Sequence, residues 1–442
     1  MDYSISSLLE KDGFECACGK KHFAQISDVI IEKGAVKKLP GLVKKFGGTK
    51  AFVLADENTL KAGAAAMSEI ETAEIPYTLY AFGPDPLEPD EHAVGSAVMH
   101  YDHSCDIIIG IGSGVINDIG KIIAAMTGHR YIIVATAPSM DGYASATSSM
   151  ARDGLKVSLP SKCPDAVCAD LDILCRAPMR MLQAGVGDMI AKYISICEWR
   201  LAQLIVGEYY CDTVAKIVKA ALDKCVRFAG GLISRDPEAV KAVMEGMVIS
   251  GIAANYAGVS RPASGVEHYF SHVWDMRGLE FGTPVDMHGI QCGTAVLLSI
   301  KAYEYLKSIT PDREKALSYV KNFSFDKYCT FLKKNMGAGA QAMIDGEKRE
   351  RKYDARKHEK RLEIIIENWD KICSIINEEL PAYDDVYALL KSIGAPVSPA
   401  EFGISEEEVK NAFIITKDIR DKYVVSRLLW DLGELENADK KI

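Results

Sequence analysis

Asp106-Ile-Ile-Ile-Gly110-Ile-Gly112-Ser113-Gly114-Val-Ile-Asn-Asp118-Ile-Gly120-Lys121 is the stretch whose reading decides the fold. It opens with an almost unbroken apolar run, as a parallel strand buried on both faces requires. Glycines follow, then an amphipathic pattern that predicts a helix from about Val115. A strand that breaks into glycines and re-forms as a helix presents bare backbone N–H groups at the positive end of the helix dipole, a site suited to a pyrophosphate. The spacing is not the G-x-G-x-x-G fingerprint, so a tight strand-to-helix turn is the ordinary alternative.

Outward from this stretch, the first 140 residues alternate β-rich runs with helical patterns. The predicted strands are Asp28–Glu32, Ala51–Ala55, Thr78–Phe82, Asp106–Ile109 and Tyr131–Thr136, with amphipathic segments such as Ala35–Phe46 and Asp90–Tyr101 between them. Such alternation specifies a parallel sheet with helices on its faces. Residues 141–177 are less regular and hold a possible hairpin. From Ala177-Pro178 onward a 3.6-residue period dominates, for example over Asp188–Val206 and Cys211–Phe228. The predicted organisation is an α/β domain over 1–177, which carries the candidate dinucleotide loop, and a helical domain over 178–442, with a cleft between them. The charged run 347–361 (EKRERKYDARKHEKR) reads as a solvated helical face. Asp56, just past a predicted strand, suits the hydroxyls of an adenine ribose and disfavours a 2′-phosphate, or else simply caps a helix.

Composition limits the rest. The 442 residues are 48% hydrophobic and 26% charged with net charge −9, and no basic block stands alone. This argues against a nucleic-acid partner, and no apolar run reaches the roughly 18 residues that span a membrane. The acid-bearing N-terminus does not read as a signal peptide, so a cytoplasmic protein is expected. Most of the twelve cysteines sit among apolar residues as small core side chains. Cys16-Ala-Cys18-Gly-Lys-Lys-His22 differs: it could hold zinc, but four ligands are usual and no second cysteine pair follows nearby, so a reduced turn is the ordinary reading.

Three of nine histidines, His268, His272 and His288, fall within 21 residues. The first two are spaced to share a helix face. Upstream, Gly185-Val-Gly187-Asp188 presents an acid at a predicted helix start. One carboxylate with two imidazoles is a frequent catalytic metal set with positions open for substrate. The donor set admits Fe, Zn, Ni, Mn and Co. Histidines used for packing or capping are the alternative.

GIGSGVINDIGK, APSMDGYAS, GVGDMIAK, SRPASGVEHYFSH and HGIQCGTA occur in the order found in iron-type alcohol dehydrogenases and dehydroquinate synthases. The run Ser260–His272 resembles, more narrowly, the sn-glycerol-1-phosphate dehydrogenases. The likeness extends from about Asp28 to near residue 300 and more loosely beyond. It implies a dehydroquinate synthase-like fold, a dinucleotide-binding domain over 1–177 and a metal-binding and substrate domain over 178–442 with the active site in the cleft, with Asp188, His268 and His288 as metal ligands and His272 as an active-site group outside the ligand set. It implies a dinucleotide loop of Gly112, Ser113, Gly114, Asp118 and Lys121, where the family more often has Gly in place of Ser113. Thr136 and Ser139 match positions beside the cofactor. Asp141 and Ser145 match a pair lining the substrate and nicotinamide region. Arg261 and Lys192 are the cations expected to hold a substrate phosphate.

The resemblance implies reduction of dihydroxyacetone phosphate to sn-glycerol-1-phosphate and its reverse. The expected cofactors are NAD or NADP and one divalent metal (Zn, Ni or Fe), and the expected assembly is a homodimer. A dehydrogenase of glycerol or another unphosphorylated polyol is the alternative. A dehydroquinate synthase-like lyase is disfavoured by Asp188 and by the SRPASG run, and a non-enzymatic regulator would leave the ligands unused.

Overall fold

The computed structural model describes residues 3–10, 12–153 and 155–442. A hairpin of β1 (Phe14–Glu15) and β2 (Lys21–His22) opens the chain. Six parallel strands follow: β3 (Asp28–Glu32), β4 (Ala51–Asp56), β5 (Tyr77–Phe82), β6 (Ile107–Gly112), β7 (Arg130–Ala135) and β10 (Ala166–Asp170), arranged β3-β10-β7-β6-β4-β5. The possible hairpin in the irregular segment is present as β8 (Thr147–Arg152) and β9 (Leu155–Pro160). The fold matches the expectation of a parallel-sheet region plus a large helical one. What the sequence pattern did not reveal is β10. It is five small or β-branched residues, all buried between β3 and β7, with no alternation to announce a strand.

The glycines after β6 have packing reasons as well as any ligand role. A Cβ on Gly110 or on Gly120 would stand 2.5 Å from the Tyr131 hydroxyl, so both must be absent for that ring to lie between β6 and helix α1 (Gly114–Thr127).

The chain divides into two compact units. The first holds residues 1–189 and 212–260: the sheet, the hairpins, α1, the start of α2 (Met179–Val206), α3 (Asp212–Phe228) and α4 (Pro237–Ala257). The second holds residues 190–211 and 261–442 and includes α5 (Val266–Phe281), α6 (His288–Ser308) and the helices that follow. The boundary expected at 177/178 falls before α2, inside the first unit. No helix among the described residues is long and apolar enough to cross a membrane.

The charged run 347–361 is not simply a solvated face. It breaks between helices Gly339–Glu350 and Ala355–Glu367. Glu347 is buried against Lys352 at 2.8 Å and Arg427 at 3.5 Å, and Arg361 grips the buried Asp431 at 2.9 and 2.7 Å. Charge density conceals this, because a buried ion pair and a solvated one have the same composition.

Gly185, inside α2, fixes how closely that helix approaches its neighbours. A Cβ there would lie 2.1 Å from the Pro138 carbonyl oxygen and 2.7 Å from Val243. Gly185→Ala would gain about 1 kcal/mol of helix propensity. Overpacking against backbone that cannot swing aside costs about 1–3 kcal/mol, so the clash should win. A lowered melting temperature is expected in a thermal scan; an equal or higher one would refute this account.

Candidate active site

In the first unit, β6 and its neighbour β4 end side by side, the place where parallel sheets receive ligands. Ser113 caps α1 without a side-chain hydrogen bond, so the amides of the first turn meet no side-chain cap. The Thr136 amide donates to the Gly112 carbonyl at 3.0 Å and ties the end of β7 to the loop, and Ser139 follows with its amide on the Ala137 carbonyl at 3.1 Å. Gly114 faces Met140, whose Cγ would lie 3.1 Å from a Cβ. Uncapped amides at a helix start, reached through glycines, fit a dinucleotide pyrophosphate. Asp56, at the end of β4, caps the helix Glu57–Ala62: its Oδ1 accepts from Asn58 and Thr59, each at 2.8 Å.

Asp118 and Lys121 form a buried ion pair at 2.8 Å. Lys121 Nζ also donates to the carbonyls of Gly142 at 3.2 Å and Thr147 at 2.6 Å, while the Ser149 amide donates to Asp118 Oδ2 at 3.2 Å. These two side chains therefore anchor the segment after β7. Within it, Ser145 Oγ donates to the Thr147 carbonyl at 2.8 Å. Asp141 accepts from Ser250 Oγ at 2.8 Å, and its amide donates to Asp188 Oδ2 at 2.9 Å. Asp188 is fully buried and lies well inside α2, which corrects the expected helix start. Gly185 before it mimics a boundary but serves close packing.

In the second unit, His268 and His288 come together with ring centroids 4.9 Å apart. His268 Nδ1 bonds Glu267 Oε1 at 2.7 Å; a carboxylate only accepts, so the proton sits on Nδ1 and Nε2 offers its lone pair. His288 Nδ1 bonds Ser271 Oγ at 2.9 Å, and Gln291 holds that hydroxyl at 3.1 Å while reaching Asp275 at 2.7 Å. Ligand atoms of His268, His288 and Cys292 all lie within 4.8 Å of one another. Burial pushes the Cys292 thiol up, but the two imidazoles outweigh it and leave the thiol below its ordinary value. Cys292 escaped the sequence reading, although its place four residues after His288 on a helix was the available signal. His272 stacks on His288 at 5.9 Å. This paired, oriented imidazole set fits a divalent cation, which draws donors of this kind together.

Beneath it lies Gly265, where a Cβ would meet Glu198 Oε2 at 2.6 Å and Glu267 Oε2 at 2.8 Å. Burial, then the charge of Glu267, pushes the Glu198 carboxyl up to about 8. Glu198 accepts from the amides of Val425 at 2.8 Å and Val266 at 2.9 Å, which fixes the start of α5.

Arg261 does not offer the expected phosphate contact. Its buried guanidinium grips Glu208 through two nitrogens, one at 2.7 Å, and donates to the Tyr423 carbonyl at 3.1 Å. An arginine before proline here braces the loop. Lys192 is fully buried in α2, four residues after Asp188. The cation the fold brings to the SRPASG run is Lys422, whose Nζ donates to Ser264 at Oγ (2.6 Å) and at the carbonyl (2.8 Å). Burial, then the charge of Arg261, lowers this ammonium to about 7.

The Glu267 contact predicts a metal-affinity effect without loss of a ligand. Glu267→Gln should weaken metal binding by about 10–100-fold, the scale of an outer partner that orients an imidazole. Competition against a chromophoric chelator measures it, and an unchanged dissociation constant would remove Glu267 from that role.

Residues 30–178 match the model of the iron-containing alcohol dehydrogenase family. A glycerol-1-phosphate dehydrogenase [NAD(P)+] of Bacillus licheniformis is 27% identical over 98% of this chain and 96% of its own length. The protein of that name from Bacillus velezensis is 30% identical over 68% of this chain and 76% of its own. Among solved structures, glycerol dehydrogenase from Schizosaccharomyces pombe shares the fold with a TM-score of 0.60 at 16% identity, covering 97% of this chain and 93% of that one. This chain belongs to the glycerol-1-phosphate dehydrogenase family of iron-containing alcohol dehydrogenases.

Proposed function

We infer that this chain interconverts dihydroxyacetone phosphate and sn-glycerol-1-phosphate by hydride exchange with NAD(P)H. The observation that carries the reading is the pair His268 and His288, with ring centroids 4.9 Å apart and each Nδ1 tied to a partner, in a chain of this family. A divalent metal held there, with Asp188 as the third donor the family pattern assigns, supplies a Lewis acid for the substrate oxygen, and a nicotinamide supplies the hydride. The first-turn amides of α1 hold the cofactor pyrophosphate. Asp141, fixed by Ser250, orients the substrate. His272 Nε2 hands a proton to the substrate oxygen on reduction and takes it back on oxidation; its stacking on His288 supports this role. Lys422 holds the phosphate, with Lys192 the second candidate, because the Arg261 guanidinium is already taken up by Glu208.

Initial rates with dihydroxyacetone phosphate and with dihydroxyacetone, using NADH and NADPH and chain loaded in turn with Zn, Ni or Fe, test the reading. The phosphorylated ketone should be strongly preferred. Lys422→Met should raise its KM by about 10–100-fold, a charge-assisted contact worth ~1.5–3 kcal/mol, and leave dihydroxyacetone nearly unaffected. His272→Ala should lower kcat at full metal content. A wild-type preference for dihydroxyacetone would make the chain a polyol dehydrogenase instead.

A further inference from the structure

The family's chemistry leaves one group of ligands without a task. Cys16, Cys18 and His22 lie on and beside the β1–β2 hairpin, far from the histidine pair in sequence. Gly19, with φ of +85°, turns the chain directly after Cys18, and its amide donates to the Cys16 carbonyl at 2.9 Å. The Cys16 amide in turn donates to the Lys20 carbonyl at 3.1 Å. This tight knuckle points two thiols one way. Cys16 Sγ reaches Thr213 Oγ1 at 3.5 Å, at the start of α3. Cys211 stands two residues earlier, joined by its peptide bond to Asp212, so it is carried to the same knuckle. The ligand atoms of Cys16, Cys18, His22 and Cys211 all lie within 4.8 Å of one another.

His22 is fully buried, and its orientation is decisive. Its Nδ1 bonds the Tyr256 carbonyl at 2.8 Å, which can only accept, so the ring proton lies on Nδ1. Nε2 therefore turns its lone pair to Cys18 Sγ, 3.3 Å away. Phe14 and Tyr256 flank the ring at 5.2 and 5.6 Å and hold its plane. An imidazole fixed through one nitrogen by a carbonyl, with the other facing thiols, is the arrangement of a zinc-bound histidine. In a tetrahedral zinc site with Zn–S of about 2.3 Å and Zn–N of about 2.0 Å, ligand atoms lie roughly 3.3–3.8 Å apart. The Cys18–His22 distance already meets this, and a small contraction brings in the rest.

We propose that Cys16, Cys18, His22 and Cys211 bind a structural zinc ion, separate from the catalytic metal. Four protein ligands close the coordination sphere and leave no position for substrate, the mark of a structural rather than a catalytic site. The ion fastens the β1–β2 hairpin to the start of α3, while His22 carries the link on to the end of α4 through Tyr256. Binding displaces the three thiol protons and leaves the imidazole neutral.

The test uses the full chain, with zinc and cobalt(II) as the probes. Protein from zinc-supplemented culture, carrying His288→Ala to weaken the catalytic centre, should retain one zinc per chain by elemental analysis. Replacing that zinc by cobalt(II) should give thiolate-to-metal charge-transfer absorption and the intense visible bands of a tetrahedral site. Adding Cys18→Ser should remove the zinc equivalent and the charge-transfer band. If the serine variant does not fold, wild-type chain titrated with p-hydroxymercuribenzoate should release this zinc to a chromophoric chelator as three thiols react. No stoichiometric zinc in the His288→Ala chain would overturn the proposal. So would a charge-transfer band that survives Cys18→Ser, or a thiol titre two short because Cys16 and Cys18 are oxidised to a disulfide. None of these readings depends on which substrate the enzyme turns over.

Discussion

A lysine with no access to water organises the segment that follows β7. Lys121 lies on α1 with its ammonium fully buried, so its charge must be met inside the protein. Asp118, one turn earlier, meets it, and the carbonyls of Gly142 and Thr147 complete its donors. Those carbonyls belong to the segment that carries Asp141 and Ser145. Fixing them to α1 sets that segment against the same helix whose first-turn amides follow Gly112. Removing either charge would strand the other, so this geometry is held by a penalty rather than by a large net gain.

A related economy of charge governs the histidine pair. Glu267 meets His268 Nδ1 at 2.7 Å, yet Glu198 sits close by with only Gly265 between them. Two buried carboxylates so placed cannot both ionise cheaply, and Glu198 is the one driven towards its neutral form. The glycine of the SRPASG run is thus required by the two acids behind it. One carboxyl shapes the start of α5, and the other orients the His268 imidazole.

The sequence disclosed what depends on local pattern and hid what depends on distant partners. Five of the sheet's strands were legible from apolar runs, and the histidine pair from its clustering. β10 was not, because five small buried residues have no period. Asp188 looked like a helix start because Gly185 and Gly187 resemble a boundary, whereas Gly185 is there to admit the Pro138 carbonyl. Arg261 looked free for phosphate until Glu208 was found beside it, and Glu347 looked solvated until Arg427 and Lys352 enclosed it. Cys16, Cys18 and His22 were visible as a short motif; Cys211 was invisible as their companion across so much chain.

The position of β10 also constrains how the molecule can be made. Among the described residues, β3 has β10 as its one neighbour in the sheet, Asp28 pairing with Ala166. The first strand of the sheet to leave the ribosome is therefore among the last to find its place. At synthesis rates of roughly 5–20 residues per second, it waits about 7–30 s for its partner. For roughly the last 2–6 s of that interval, once β7 (Arg130–Ala135) has been made, β7 presents an open edge of unpaired amides and carbonyls to anything able to add a strand. The nascent chain is thus most exposed to mispairing just before residue 166 emerges, after the glycine-rich loop that follows β6 has been synthesised.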